Sequence, residues 1–133
     1  MEMELVPVQL VDGVWHLLQP FLAKACKRTQ GTYKPHQMWE DCRTGRRNLV
    51  LFSKNGEFKI AAICTFGPLN NQTTCNVNLL CGASVAAWAK ELPQFAAWAR
   101  EHGATQITYT GKRAQERLIP GSKLVSCLYK LEI

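Results

Sequence analysis

Acidic residues are scarce in this chain: 10 aspartates and glutamates stand against 16 lysines and arginines in 133 residues, a formal net charge of +6. That balance favours an anionic partner without choosing among nucleic acid, a phosphorylated cofactor and an acidic protein. The chain has no run of 18 apolar residues, which argues against a membrane span. It opens Met1-Glu2-Met3-Glu4 rather than with the basic start and apolar stretch of a secretory leader, so a cytoplasmic protein is expected. No two of its six cysteines (26, 42, 64, 75, 81 and 127) have the spacing of a zinc knuckle or a redox pair. Reduced, metal-free thiols are the expectation, and nothing local pairs a cysteine with His16, His36 or His102. Internal repeats, low-complexity tracts and linkers are also missing, so residues 1–133 read as a single domain with one core.

What the chain does have is Asn76-Val-Asn-Leu-Leu-Cys-Gly-Ala-Ser-Val-Ala-Ala-Trp-Ala-Lys90, a strand that runs through Gly82 into a helix with no charge in the turn. A helix that opens this way leaves backbone N–H groups free where a pyrophosphate could sit. The plainer reading is that Gly82 turns a corner between two packed elements.

Upstream, residues 5–10 alternate apolar and polar with a proline and read as an edge strand. Asp12 is a suitable N-cap for an amphipathic helix to about Arg28, with Val14, Leu17, Leu18, Phe21, Leu22 and Ala25 as its apolar stripe and Trp15 and His16 at its rim. Pro35 opens a short helix that Gly45 closes. Runs 48–52 and 58–66 flank Asn55-Gly56, a strong hairpin signal, and a third strand, 74–80, completes an antiparallel meander. The helix from Ser84 carries Trp88, Leu92 and Phe95 on one face, with Pro93 expected to kink or divide it. Run 106–109 then pairs parallel to 74–80 through a right-handed crossover, the two strands splaying at their C-terminal ends. A brief helix at 111–118 and a closing strand at 123–131 give the order β-α-α-β-β-β-α-β-α-β. The expected core is Leu18, Phe21, Leu22, Ile60, Ala62, Val77, Leu79, Trp88, Phe95 and Ile107 around one centre.

With that order, the chain resembles the GNAT superfamily of acyl-CoA N-acyltransferases, an α/β fold with a mixed central sheet, and within it a group of short proteins encoded by phages and prophages. The resemblance is carried by Cys75, Gly82-Ala83 and Trp88, by Ala97-Trp98-Ala99-Arg100-Glu101-His102-Gly103, by Gly111-Lys112-Arg113-Ala114-Gln115-Glu116-Arg117 and by the Thr44-Gly45-Arg46 turn. It implies that the amides of Gly82, Ala83 and Ser84 hold the pyrophosphate of acetyl-CoA, with Lys112 or Arg113 meeting the 3′-phosphate. The acceptor would be an amine, small or on a host protein. Tyr109, ending the strand that flanks the opening, is the best available hydroxyl to protonate the departing thiolate, because Glu57 falls in the hairpin turn and the central strands supply no carboxylate.

Two departures bear on function. Where the superfamily places Gln or Arg three residues before the first glycine this chain has Leu79, and where it places the last Gly or Ala the chain has Ser84. Ala114 and Gln115 likewise replace the Gly and Trp of the phage-type segment. The alternative to an enzyme is therefore a GNAT-fold protein without catalysis, acting by protein binding as a virion or assembly component or as an inhibitor of a host defence protein. A nucleic-acid partner ranks last, resting only on charge and on Trp15 and Trp39.

Overall fold

In the computed structural model, residues 1–29, 31–82, 84–110, 119, 121–123 and 131–133 are described. Among them, five strands form a mixed sheet in the order β1-β2-β3-β4-β5. The strands are β1 (Glu2–Leu5), β2 (Asn48–Lys54), β3 (Glu57–Leu69), β4 (Gln72–Cys81) and β5 (Gln106–Tyr109), and the helices are α1 (Val11–Lys27), α2 (Pro35–Arg43) and α3 (Val85–Glu101). β1 to β4 pair antiparallel, and β5 joins β4 in parallel after the α3 crossover. The expected helix at 111–118 and residues 124–130 of the expected closing strand lie outside the described residues, as does Cys127.

The turns explain the meander. Asn55 and Gly56 both take positive φ (54° and 76°), the geometry of a two-residue hairpin whose twist matches that of its strands. Asn70 and Asn71 do the same (52° and 62°). Where a polar loop over 67–73 was expected, β3 and β4 therefore run on to Leu69 and Gln72 and meet at a tight turn.

At the amino end the expected edge strand over 5–10 stops at Leu5. Pro7 starts a 3-10 turn, closed by the Leu10 N–H donating to the Pro7 carbonyl at 2.9 Å, and α1 grows out of that turn. Asp12 consequently lies inside the first helical turn and is not the N-cap; its carboxylate accepts a hydrogen bond from Trp39 Nε1 at 2.9 Å.

The buried stripe of α1 is Val11, Trp15, Leu18, Leu22 and Ala25. Trp15 is thus core, not rim, while Phe21 is 43% exposed and leans on Phe58 at 6.1 Å between ring centroids. The helix is rotated from its expected seating because α2 packs along the Trp15 side, where Met38 and Cys42 join the same cluster.

The core also has two centres, not one. Alternate residues of β2 and β3 point to opposite faces and both faces are apolar. Leu49, Leu51, Ala61 and Ile63 meet α1 and α2, whereas Val50, Phe52, Ile60 and Ala62 meet Trp88, Phe95 and Trp98 of α3. Of the expected core, Ile107 is only partly buried. Pro93 lies within α3 without dividing it.

Candidate functional site

Facing β3, Ile63 pairs with Leu79 and Cys64 with Val77, so Asn78 of β4 has no partner and forms a β-bulge. A bulge bends its strand and increases the local twist. On the other edge of β4, pairing with β5 covers Thr74 to Val77 and stops at Val77–Tyr109. From Asn78 to Cys81, β4 thus carries an edge that β5 does not pair, roughly 13 Å long at a strand rise of about 3.3 Å per residue. This stretch leads from the bulge to the β4–α3 turn.

That turn is shaped by Gly82. Its φ is +84°, and a Cβ there would lie 2.7 Å from the Lys59 carbonyl oxygen and 3.5 Å from the Phe58 ring. Both the conformation and the close approach demand glycine. Ser84 caps α3, its hydroxyl accepting from the Ala87 N–H at 3.2 Å. The N–H groups of Val85 and Ala86 have no acceptor within the helix, as in any first helical turn, and carry the positive end of the helix dipole. These backbone donors fit a pyrophosphate. The side chain that would complete the cradle is missing, because Leu79 is buried in the α1/α2 core (3% exposed).

Of the residues singled out from sequence, Gly82 and Ser84 share the turn, whereas Tyr109 stands back beside the bulge, opposite Val77. The Tyr109 hydroxyl donates to Ser122 Oγ at 2.6 Å. Ala83, Lys112 and Arg113 lie outside the described residues.

A polar group that the sequence reading missed occupies the α1/α2 face next to the bulge. Arg47 Nη1 donates to Asn78 Oδ1 at 2.7 Å and its Nε to Asp41 Oδ2 at 3.0 Å, while its guanidinium carbon lies 5.0 Å from the Tyr33 ring centroid. Asn78 donates in turn to Thr65 Oγ1 at 3.4 Å, and Thr108 Oγ1 donates to Asn76 Oδ1 at 2.6 Å. The alternation Thr74, Asn76, Asn78 between apolar neighbours is a sequence signal for one polar strand face. α1 covers only the Leu79 and Cys81 end of that face. Asp41 is the carboxylate brought to this face; it comes from α2, not from a strand, and it is held by Arg47.

The five described cysteines are free and buried. Burial pushes the thiols of Cys42 and Cys81 up to about 12, and the hydrogen bond to Cys75, together with burial, raises that of Cys64 further. Cys42 and Cys81 are thus packed side chains held protonated, whereas the hydrogen bond from Cys64 lowers the thiol of Cys75. A separate groove of about 710 Å³ runs between α1 and α2, lined in part by His16, His36 and Trp39.

No protein-family model and no curated protein matches the chain. Solved structures match its fold over nearly its whole length. The crystal structure of a probable acetyltransferase aligns with a TM-score of 0.67 at 15% identity, over 100% of this chain and 99% of that one. A ribosomal-protein-alanine N-acetyltransferase from Brucella melitensis biovar Abortus 2308 aligns at 0.63 and 12%, over 98% and 100%. An aminoglycoside acetyltransferase from an uncultured soil metagenomic sample, solved with sisomicin, aligns at 0.61 and 8%, over 98% and 96%. The chain shares the fold of these structures, a GNAT-like mixed α/β sheet.

Proposed function

We propose that the protein is an N-acyltransferase that takes an acetyl group from acetyl-CoA at the mouth beside the Asn78 bulge and passes it to an amine. The observation that carries this reading is the β4 edge left by β5 between Asn78 and Cys81, which leads from the bulge to the first turn of α3. Backbone groups on an edge without a strand partner among the described residues call for partners, and an extended amide-bearing arm supplies them as a strand would. The N–H groups of Val85 and Ala86 would hold the pyrophosphate, assisted by those of Gly82, Ala83 and Ser84, and Lys112 or Arg113 would meet the 3′-phosphate. Acetyl-CoA supplies the acetyl group as an activated thioester.

The residues of the chain bind, orient and move protons. The β4 backbone at the bulge orients the thioester, and the α1/α2 face admits the acceptor. Tyr109, whose hydroxyl donates to Ser122 in the free protein, would give its proton to the departing thiolate, and the proton that the acceptor nitrogen releases would pass to solvent, from which Tyr109 is re-protonated. Tyr109→Phe keeps the ring and loses the hydroxyl. The expected outcome is unchanged acetyl-CoA affinity and a turnover lower by about 10²-fold or more, read as release of the CoA thiol in the presence of amine. Unchanged turnover removes Tyr109 from the mechanism.

One observation favours a second reading, a GNAT-fold protein without catalysis that works by binding another protein: the buried Leu79 stands where the superfamily motif places a pyrophosphate-binding side chain. A phage or prophage setting, with the host cytoplasm as location and a phage or host protein as partner, is supported by the sequence segments around Trp98 and Gly111 alone. In that setting the transferase acts on a host amine or protein, and the binding protein is a virion component or an inhibitor of a host defence protein.

A further inference from the structure

We propose that Arg47 determines acceptor specificity by selecting amines that also carry an anionic group, a carboxylate or a phosphate. The inference rests on the transferase reading only in treating the bound amine as an acceptor. The Arg47 side chain is 17% exposed, and its guanidinium is fixed at three places: by the Asp41 carboxylate, by the Asn78 amide and by the Tyr33 ring. These contacts use Nε and Nη1; Nη2 has no partner among the described residues. A planar fork already held in place loses little freedom when its remaining N–H groups take up an anion, and its geometry matches a carboxylate or phosphate.

Arg46 also reaches Asp41, at 3.8 Å, but its side chain is largely exposed, so the half-buried ion pair is Arg47 with Asp41. The neighbouring Arg43 is engaged by Asp12 at 3.9 Å and Glu40 at 3.5 Å. Asn76, Thr65 and Thr108 add hydrogen-bonding groups without charge. Recognition therefore falls to the Nη2 donors of Arg47, which an anionic group can accept and a second ammonium cannot, in a half-buried setting where screening is weak. Because Arg47 is tied to the bulge residue itself, an acceptor anchored there has its amine beside the point where β4 leaves β5.

The test is calorimetry on the whole protein without acetyl-CoA, with 2-aminoethyl phosphate, β-alanine, propylamine and 1,4-diaminobutane as ligands. The expected result is that at least one anion-bearing amine binds about tenfold or more tightly than propylamine or 1,4-diaminobutane. Which of the two binds identifies phosphate or carboxylate as the recognised group. In Arg47→Lys, which keeps the cation beside Asp41 but not the fork, that preference should fall about fivefold or more. Equal affinities for propylamine and both anionic amines in the wild-type protein, or no binding of either anionic amine, overturn the inference, whether or not the variant folds, and so does an unchanged preference in a folded variant. A separate titration with acetyl-CoA distinguishes the two failures. Selectivity among amines without acetyl-CoA binding upholds Arg47 and defeats the transferase reading, and acetyl-CoA binding without selectivity does the reverse.

Discussion

Cys42 and Cys81 lie on the α1/α2 side of the sheet, and burial holds the protons on both thiols up to about pH 12, against an ordinary value of 9.0. A thiol that keeps its proton more tightly when folded contributes stability that is complete below its unfolded pKa and is lost as pH rises through the folded one. The folded protein should therefore weaken as pH rises from about 9 towards 12. Thermal melts in that window check the source: the pH-dependent fall in Tm is expected to be shallower in the double variant Cys42→Ala, Cys81→Ala. Parallel slopes in the two proteins would contradict it. At this scale the cysteine spacing led to an expectation of unpaired thiols, and it was silent on which of them the two apolar clusters bury. The sequence could not show Arg47 meeting Asn78, which are 31 positions apart, because the contact exists only once α2 and the sheet are assembled. Gly82 is a mixed case. Its place at the strand–helix turn was legible, but the Lys59 carbonyl that crowds it comes from another strand, so Gly82→Val would report on folding as much as on ligand binding.

Between elements, the β4–α3–β5 unit was the most legible part of the chain, since a strand, a 17-residue amphipathic helix and a short strand leave few ways to cross back. The parallel pairing and the range 106–109 follow from that pattern. The bulge does not. A single unpaired residue depends on which β3 carbonyl meets which β4 amide, and alternation in sequence is silent about it. The α1 boundary was missed for a local reason, a Pro7-led 3-10 turn that supplies the helix start without a side-chain cap. The first turn of α3 offers a specific test of the pyrophosphate assignment. Ser84 has φ −74° and ψ 156°, a conformation compatible with a following proline, and position 85 is the first of the helix. Val85→Pro therefore removes one N–H that has no acceptor within the helix and leaves the backbone path intact. It is expected to weaken acetyl-CoA binding by about tenfold, as loss of one hydrogen bond to a charged group does, with Tm as the control for folding. Undiminished affinity in a folded variant would move the pyrophosphate elsewhere.

On the scale of the whole molecule, the sheet is sandwiched by α1 and α2 on one face and α3 on the other, giving two apolar clusters instead of the single centre that composition and length suggest. The apolar runs of β2 and β3 already imply burial on both faces. Only the assembled sheet shows how the two clusters share the work, with the polar group around Arg47 at the margin of one and the α3 cap at the margin of the other. Among the described residues no helix is long and apolar enough to cross a membrane. The surplus of basic residues is concentrated in short patches, of which Arg43, Arg46 and Arg47 adjoin the proposed acceptor face. The bulged, β5-free edge of β4 and the start of α3 are proposed to form together a working acetyl-CoA site. Isothermal titration of the whole wild-type protein with acetyl-CoA tests it most directly. A saturable heat at one site per chain, displaced by CoA, is expected; no heat of binding at millimolar acetyl-CoA would contradict the proposed site and leave a GNAT-like fold used for binding another protein.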